Sequence, residues 1–255
     1  SSAASDVYKR QIMTYIKITF DRSIKHQQLM KLIFFTSIFL LCFQCGLAQN
    51  KNNHKWNFND LTGWQYGHQD DNPNNQCEIS NGILKIFTRA NSRDRKKIHT
   101  INKVYTSGRY TWKTYIPQMG KHDQASVGSW IYCDDHHELD FEVGYGTAKA
   151  RKEISAEDDD MLAYMTSQDF PFTSVPVKIK SGWHIFEIDL KLIEGKYFVT
   201  WLIDKQKRHE IQLQYGAEVA FHIFCSVENL IFLGDQIPQQ ENYGLFDYVK
   251  YKYHK

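Results

Sequence analysis

Three acidic side chains, Glu138, Asp140 and Glu142, alternate with the apolar residues Leu139, Phe141 and Val143. In an extended strand successive side chains go to opposite faces, so the acids would share one surface and the apolar residues the other. Acids are depleted in strands and like charges in file repel one another, so a strand that only had to be solvated would do better with Thr, Lys or Ser. The arrangement works against stability and therefore points to a use. Four residues of strand set the outer Cα atoms roughly 13 Å apart, and two Glu side chains each reaching about 4 Å inward on a curved strand bring their carboxyl groups to roughly 5 Å. At about 5 to 5.5 Å one carboxylate can attack an anomeric carbon while the other protonates the leaving oxygen, with net retention; inversion needs about 6.5 to 9.5 Å. The middle acid would hydrogen-bond one neighbour and raise the proton affinity of the group that serves as acid. A triplet of this form arises by chance in roughly one such chain in twenty or thirty, so it must be read with its surroundings.

Those surroundings are strands. Alternating runs at 83–88, 108–116, 127–132, 138–143, 184–190, 197–203, 209–213 and 246–253 are separated by turn signals at Asn81-Gly82, Ser107-Gly108, Gly120, Ser181-Gly182 and Glu194-Gly195. No amphipathic helix longer than a turn or two intervenes, which predicts an all-β antiparallel sandwich or jelly roll. Residues 146–176 are poorly patterned and read as a long loop, its acids Glu157 to Asp160 as a solvated run.

The ends divide the chain. Residues 1–29 read as an artefact or mis-called start, because Asp6 to Gln11 resemble a translated sequencing adapter. Residues 30–48 read as a signal peptide: Lys31, an apolar run too short to span a membrane, and small residues at Gly46 and Ala48. Residues 49–255 would then form one domain, secreted or periplasmic. Lipid anchoring through Cys42 or Cys45 is the alternative, although neither follows the small residues such a site wants. A formal charge of +2 and the lack of a basic tract interleaved with aromatics argue against a nucleic-acid partner. Cys77, Cys133 and Cys225 allow at most one disulfide, and no Cys-x-x-Cys spacing suggests a metal. His136 and His137 point to opposite faces of a strand and make a poor metal pair.

Several side chains suit a sugar. His136 shares the parity of the acids. Trp130 with Tyr132, and Tyr110 with Trp112, share a parity within their strands and fit either ring stacking or core packing. Tyr145 and Trp64 stand near glycines and read as rim contacts, and Arg109 fits either sugar hydroxyls or a structural ion pair.

Taken together these stretches resemble the family-16 glycoside hydrolases, which include lichenases, laminarinases, agarases, carrageenases and xyloglucan-modifying enzymes. His136-His137-Glu138-Leu139-Asp140-Phe141-Glu142 is similar to the catalytic strand of that family. Ser107 to Tyr110 running on to Ile116-Pro117, Trp183 to Ile188, Tyr197 to Asp204 and Phe246 to Tyr251 resemble others of its strands, in order. The resemblance implies a concanavalin A-like β-sandwich jelly roll whose concave sheet holds a polysaccharide or oligosaccharide. It further implies Glu138 as nucleophile, Glu142 as general acid/base and Asp140 as their modulator. Hydrolysis of a β-glucan or related plant or algal polysaccharide by a monomer is the activity it suggests. A transglycosylase using the same acids and a non-catalytic, lectin-like sandwich are the alternatives. No cofactor is expected; members of the fold often hold a structural calcium, but no ligands for one stand out here. Two departures bear on the binding site: Thr111 stands where many members carry a substrate-contacting acid, and residues 130–135 lack the Trp-Pro pattern of laminarinases.

Overall fold

The computed structural model describes residues 52–254, so the expected artefactual start and signal peptide lie outside the described residues. In chain order the elements are β1 (His54–Trp56), β2 (Trp64–His68), β3 (Cys77–Ser80), β4 (Ile83–Thr88), β5 (Arg95–Thr100), β6 (Gly108–Ile116), β7 (Ala125–Asp134) and β8 (His137–Gly144). A six-residue helix, α1 (Ala148–Glu153), follows, and then β9 (Asp160–Ser167), β10 (Thr173–Lys180), β11 (Gly182–Ile193), β12 (Lys196–Ile203), β13 (Gln206–Gln212), β14 (His222–Asn229) and β15 (Asn242–Tyr253). Two antiparallel sheets make a sandwich. One runs β13-β12-β11-β6-β15-β4-β3 with β1 also on β15; the other runs β10-β9-β8-β7-β14-β5-β2 and carries the acids near its middle.

Alternation explains how the layers meet. Leu139, Phe141 and Val143 of β8 are buried in the core, with Phe141 packed 5.0 Å from Phe186 of the facing sheet. Tyr110, Trp112, Phe186, Ile188, Val199 and Trp201 supply the opposing layer. Two of these aromatic residues also act as crosslinks. Trp201 Nε1 donates to the Asp140 carbonyl at 3.1 Å and Trp112 Nε1 to the Phe224 carbonyl at 2.9 Å, so the far sheet holds the backbones of β8 and β14. A buried indole N–H needs such a partner, and here the partner is the acid-bearing sheet itself.

Hairpins close where expected. Asn81 and Gly82 take φ of 51° and 74°, and Glu194 and Gly195 take 49° and 78°, the positive values that a two-residue turn between twisted strands requires. The reading of 146–176 as one long loop is corrected: this segment holds α1, all of β9 and the start of β10. Pro176 disguised β10, but β10 lies at the sheet edge, where a missing N–H is tolerated. In the acidic run, Asp158 and Asp159 are exposed, whereas Asp160 is buried, accepts from the Glu157 N–H and pairs with Lys180. Cys77, Cys133 and Cys225 are all free thiols. Among the described residues no helix is long and apolar enough to cross a membrane.

Candidate active site

Cross-strand register assembles the site. Asp140 lies opposite Thr166 on β9 and Trp130 on β7; Trp130 lies opposite Phe224 on β14, and Phe224 opposite His99 on β5. A second row runs from Tyr164 through Glu142, Gly128 and Ser226 to Lys97, and Glu138 lies opposite Tyr132 in a third. The three acids thus share one face of the sheet, with the alternate residues of five strands around them.

Gly128 makes room here. A Cβ at this position would come 2.8 Å from Glu142 Oε1 and closer still to Ser226 Oγ, so a larger residue would push both side chains from where they stand. Ser126 Oγ donates to Glu142 Oε2, and Trp130 Nε1 donates to Ser226 Oγ at 2.9 Å.

Burial dominates the electrostatics. Asp140 and Glu142 are 4% and 7% exposed, while Glu138 is half-buried. Removal from water pushes the Glu142 carboxyl up to about 8; the charges of Glu228 and Glu138 push the same way, and the Ser126 hydroxyl and Lys97 push back. Glu138 rises to about 7, again mainly through burial, held lower by a hydrogen bond with Asp140 and by Lys97 and Arg95. Asp140 is raised well above the carboxylate range by burial and by its two acidic neighbours. All three acids therefore hold protons more tightly than free carboxyls, and the cluster keeps protons into the neutral range. A carboxyl that stays protonated near neutrality is what leaving-group protonation needs.

The remaining predicted contacts divide. Trp130 and Tyr132 stand on the acid face, where Trp130 stacks on Phe224 at 3.9 Å and Phe224 on His99 at 4.7 Å. One indole face is covered by Phe224, and the Tyr132 hydroxyl donates to Asp135 Oδ1 at 2.8 Å. His136 lies in the turn before β8, exposed, with Nδ1 3.1 Å from Asp169 Oδ2.

The other five lie elsewhere. Tyr110 and Trp112 have no exposed surface and pack between the sheets, so of their two readings the core one applies. Tyr145 and Trp64 are corrected from rim to interior: both are core residues, and Arg151 stacks 3.6 Å from the Tyr145 ring centre. Arg109 is on the opposite sheet and makes a structural ion pair with Asp189 at 2.9 Å.

Sequence reasoning missed Ser126, Thr166, Lys97, Ser226, Phe224 and Glu228. A signal existed for the last three, because Phe224-Cys225-Ser226-Val227-Glu228 alternates as the acid strand does. A cavity of about 860 Å³ opens at the end of this face, bordered by Asp70, Arg89, Arg93, Arg95, Asn229 and the exposed Ile231 and Phe232. None of the three strand acids borders it; Arg95, which does, is the partner of Glu228. Among the described residues no cluster of three or more His, Cys, Asp or Glu could hold a metal ion.

No protein-family model and no curated protein sequence matches the chain. Solved structures do: matches to family-16 glucanases and laminarinases extend over most of it. A β-glucanase of Bacillus licheniformis aligns with TM-score 0.56 at 14% identity over 81% of this chain and 100% of that one. LamA from Z. galactanivorans, solved with laminaritriose and laminaritetraose, aligns with TM-score 0.56 at 13% identity over 80% and 99%. The Crh5 transglycosylase gives TM-score 0.56 at 13% identity over 82% and 87%. At such identities the likeness establishes the fold, an all-β jelly-roll sandwich of the kind these glycan-active proteins share.

Proposed function

We propose that the chain is a secreted, endo-acting, retaining β-glycanase acting on a β-glucan or a related plant or algal polysaccharide. Glu138 is the nucleophile, Glu142 the general acid/base and Asp140 the group that shares a proton with Glu138. The observation that carries this reading is geometric: three acids, Glu138, Asp140 and Glu142, stand in file on one strand face, with Ser126 donating to Glu142 and burial raising all three above free carboxylates. In the first step the Glu138 carboxylate forms a bond to the anomeric carbon as the glycosidic oxygen leaves with the proton of Glu142. In the second, Glu142 takes a proton from water, whose oxygen displaces Glu138 with a second inversion.

The pH dependence follows with its sign. Activity requires Glu138 ionised and Glu142 protonated, so kcat/KM rises through about pH 7 and falls beyond about pH 8. Incubation with barley β-glucan, laminarin, xyloglucan, agarose and carrageenan, read by reducing-end release, tests the reading. The expected result is product from one polymer, abolished by Glu138→Gln with the fold intact; an unchanged rate in that variant removes Glu138 as nucleophile.

Transglycosylation is the second reading, supported by the likeness to the Crh5 transglycosylase. It uses the same acids, with an acceptor sugar in place of water. Lengthened products on adding an acceptor oligosaccharide, without a matching rise in reducing ends, would favour it.

A further inference from the structure

Two strands from Glu142 lies a fourth carboxylate for which displacement by two glutamates has no role. Glu228 on β14 has a side chain only 2% exposed, with Lys97 Nζ 2.9 Å from its Oε1 and Arg95 Nε 2.6 Å from its Oε2. Lys97 is also buried; its ammonium donates to Gln69 Oε1 at 3.0 Å and stands 5.2 Å from the Trp130 ring centre. The register aims this group at the general acid. Glu228 lies opposite Ser126, whose hydroxyl donates to Glu142 Oε2, and Lys97 lies opposite Ser226, then Gly128, then Glu142. Between the ion pair and Glu142 the intervening strand β7 offers a serine hydroxyl and a glycine, and charges two strands apart, about 10 Å, in a buried region are less screened than in water. Stability alone is a poor reason for such a pair, since burying both ions takes back most of what their attraction supplies.

Resting on the glycanase reading, we propose that Glu228, fixed by Lys97 and Arg95, is a positioning residue that keeps the proton on Glu142 until the glycosidic oxygen takes it. The titratable and charged groups facing Glu142 are Glu138 and Asp140 on its own strand, Tyr164 on β9, Glu228 on β14, and Lys97 and Arg95 on β5; β7 presents Ser126, Gly128 and Trp130 on that face, with Tyr132 further along it opposite Glu138. Glu228 and Glu138 oppose a second negative charge there, while Lys97 favours it. Removing Glu228 and removing Lys97 should therefore move Glu142 in opposite directions, whereas a purely structural ion pair would give two destabilised proteins with unmoved titrations.

The experiment is a ¹³C NMR titration of the full chain labelled at glutamate side-chain carboxyls, the Glu142 resonance assigned by its loss in Glu142→Gln. In Glu228→Gln the Glu142 midpoint should fall by about one pH unit, and in Lys97→Gln it should rise by about one unit, with circular dichroism reporting the fold. The basic limb of kcat/KM should follow each shift. Midpoints within about 0.3 unit of wild type in both folded variants would overturn the proposal. If one variant does not fold, the sign of the shift in the other decides. Absence of product from every polysaccharide would remove the glycanase reading while the titration still reports whether Glu228 governs the proton on Glu142.

Discussion

The chain carries the pattern Glu-x-Asp twice on buried strand faces, at Glu138-Leu139-Asp140 on β8 and at Glu187-Ile188-Asp189 on β11, and the two have opposite chemistry. Asp140 and Asp189 are equally buried, each 4% exposed. Burial raises both, yet Asp189 ends below its ordinary value because Arg109 at 2.9 Å and His254 at 2.5 Å bind its two oxygens. Asp140 has two carboxylates for neighbours instead and is raised. On the outer face of one sheet the acids are neutralised one by one and serve the fold. On the acid face of the other, the cations Lys97 and Arg95 are engaged by Glu228, and the strand acids remain poised to exchange protons. A file of acids becomes a candidate site only where its cations are held away from it.

Isosteric amides should separate the two clusters most sharply. Glu142→Gln is expected to lower turnover by about a thousandfold or more, because leaving-group protonation disappears. Asp189→Asn should leave kcat and KM unchanged on the same polymer. A loss in both would place β11 in the site and end the contrast.

Stability should respond with opposite sign. Glu142 has a raised folded value, so the favourable contribution of its protonated form is present below about pH 4.5 and is lost as pH rises through about 8. Glu142→Gln should therefore be more stable than wild type at pH 9, by an amount on the order of a few kcal/mol. Asp189 is depressed, so its contribution is present above the ordinary Asp value and is lost as pH falls through its folded one. Asp189→Asn should be less stable than wild type at neutral pH, by about 1–2 kcal/mol because Arg109 is two-fifths exposed and partly screened. Urea melts of both variants at pH 5, 7 and 9 check the two signs together.

Two smaller effects probe the supports of the acid face. Gly128→Ala places a methyl group against Glu142 Oε1 and Ser226 Oγ, so kcat should fall by about tenfold while KM changes less. Trp201→Phe removes the N–H bond to the Asp140 carbonyl from the core and should lower stability by about 1–3 kcal/mol in a thermal melt. Its loss should act on β8 and spare the Asp189 cluster.

Much of this was legible from residue types alone. Period-two alternation identified β4, β6, β8, β11 and β12, since each has one apolar face and the side-chain period of a strand is fixed by its backbone. It failed for β5, whose Arg95-Lys96-Lys97 opening looks like a solvated turn. Lys96 has no exposed surface and is held by Asp70 at 2.8 Å, while Lys97 is held by Glu228, and both partners are distant in sequence. The same limit left Tyr110 and Trp112 open between cleft and core, since parity shows which side chains share a face but not whether that face meets solvent or the other sheet; nearby glycines misplaced Tyr145 and Trp64 at the rim.

The sequence by itself determined that Glu138, Asp140 and Glu142 stand on one side of a strand and that strands make up the fold, because both follow from local backbone geometry. Tertiary structure alone decided which protons those acids hold. That depends on burial, on the Ser126 hydroxyl, and on a carboxylate nearly ninety residues away whose two cations come from a third strand. Charges act through space, and only the folded chain fixes the distances between them.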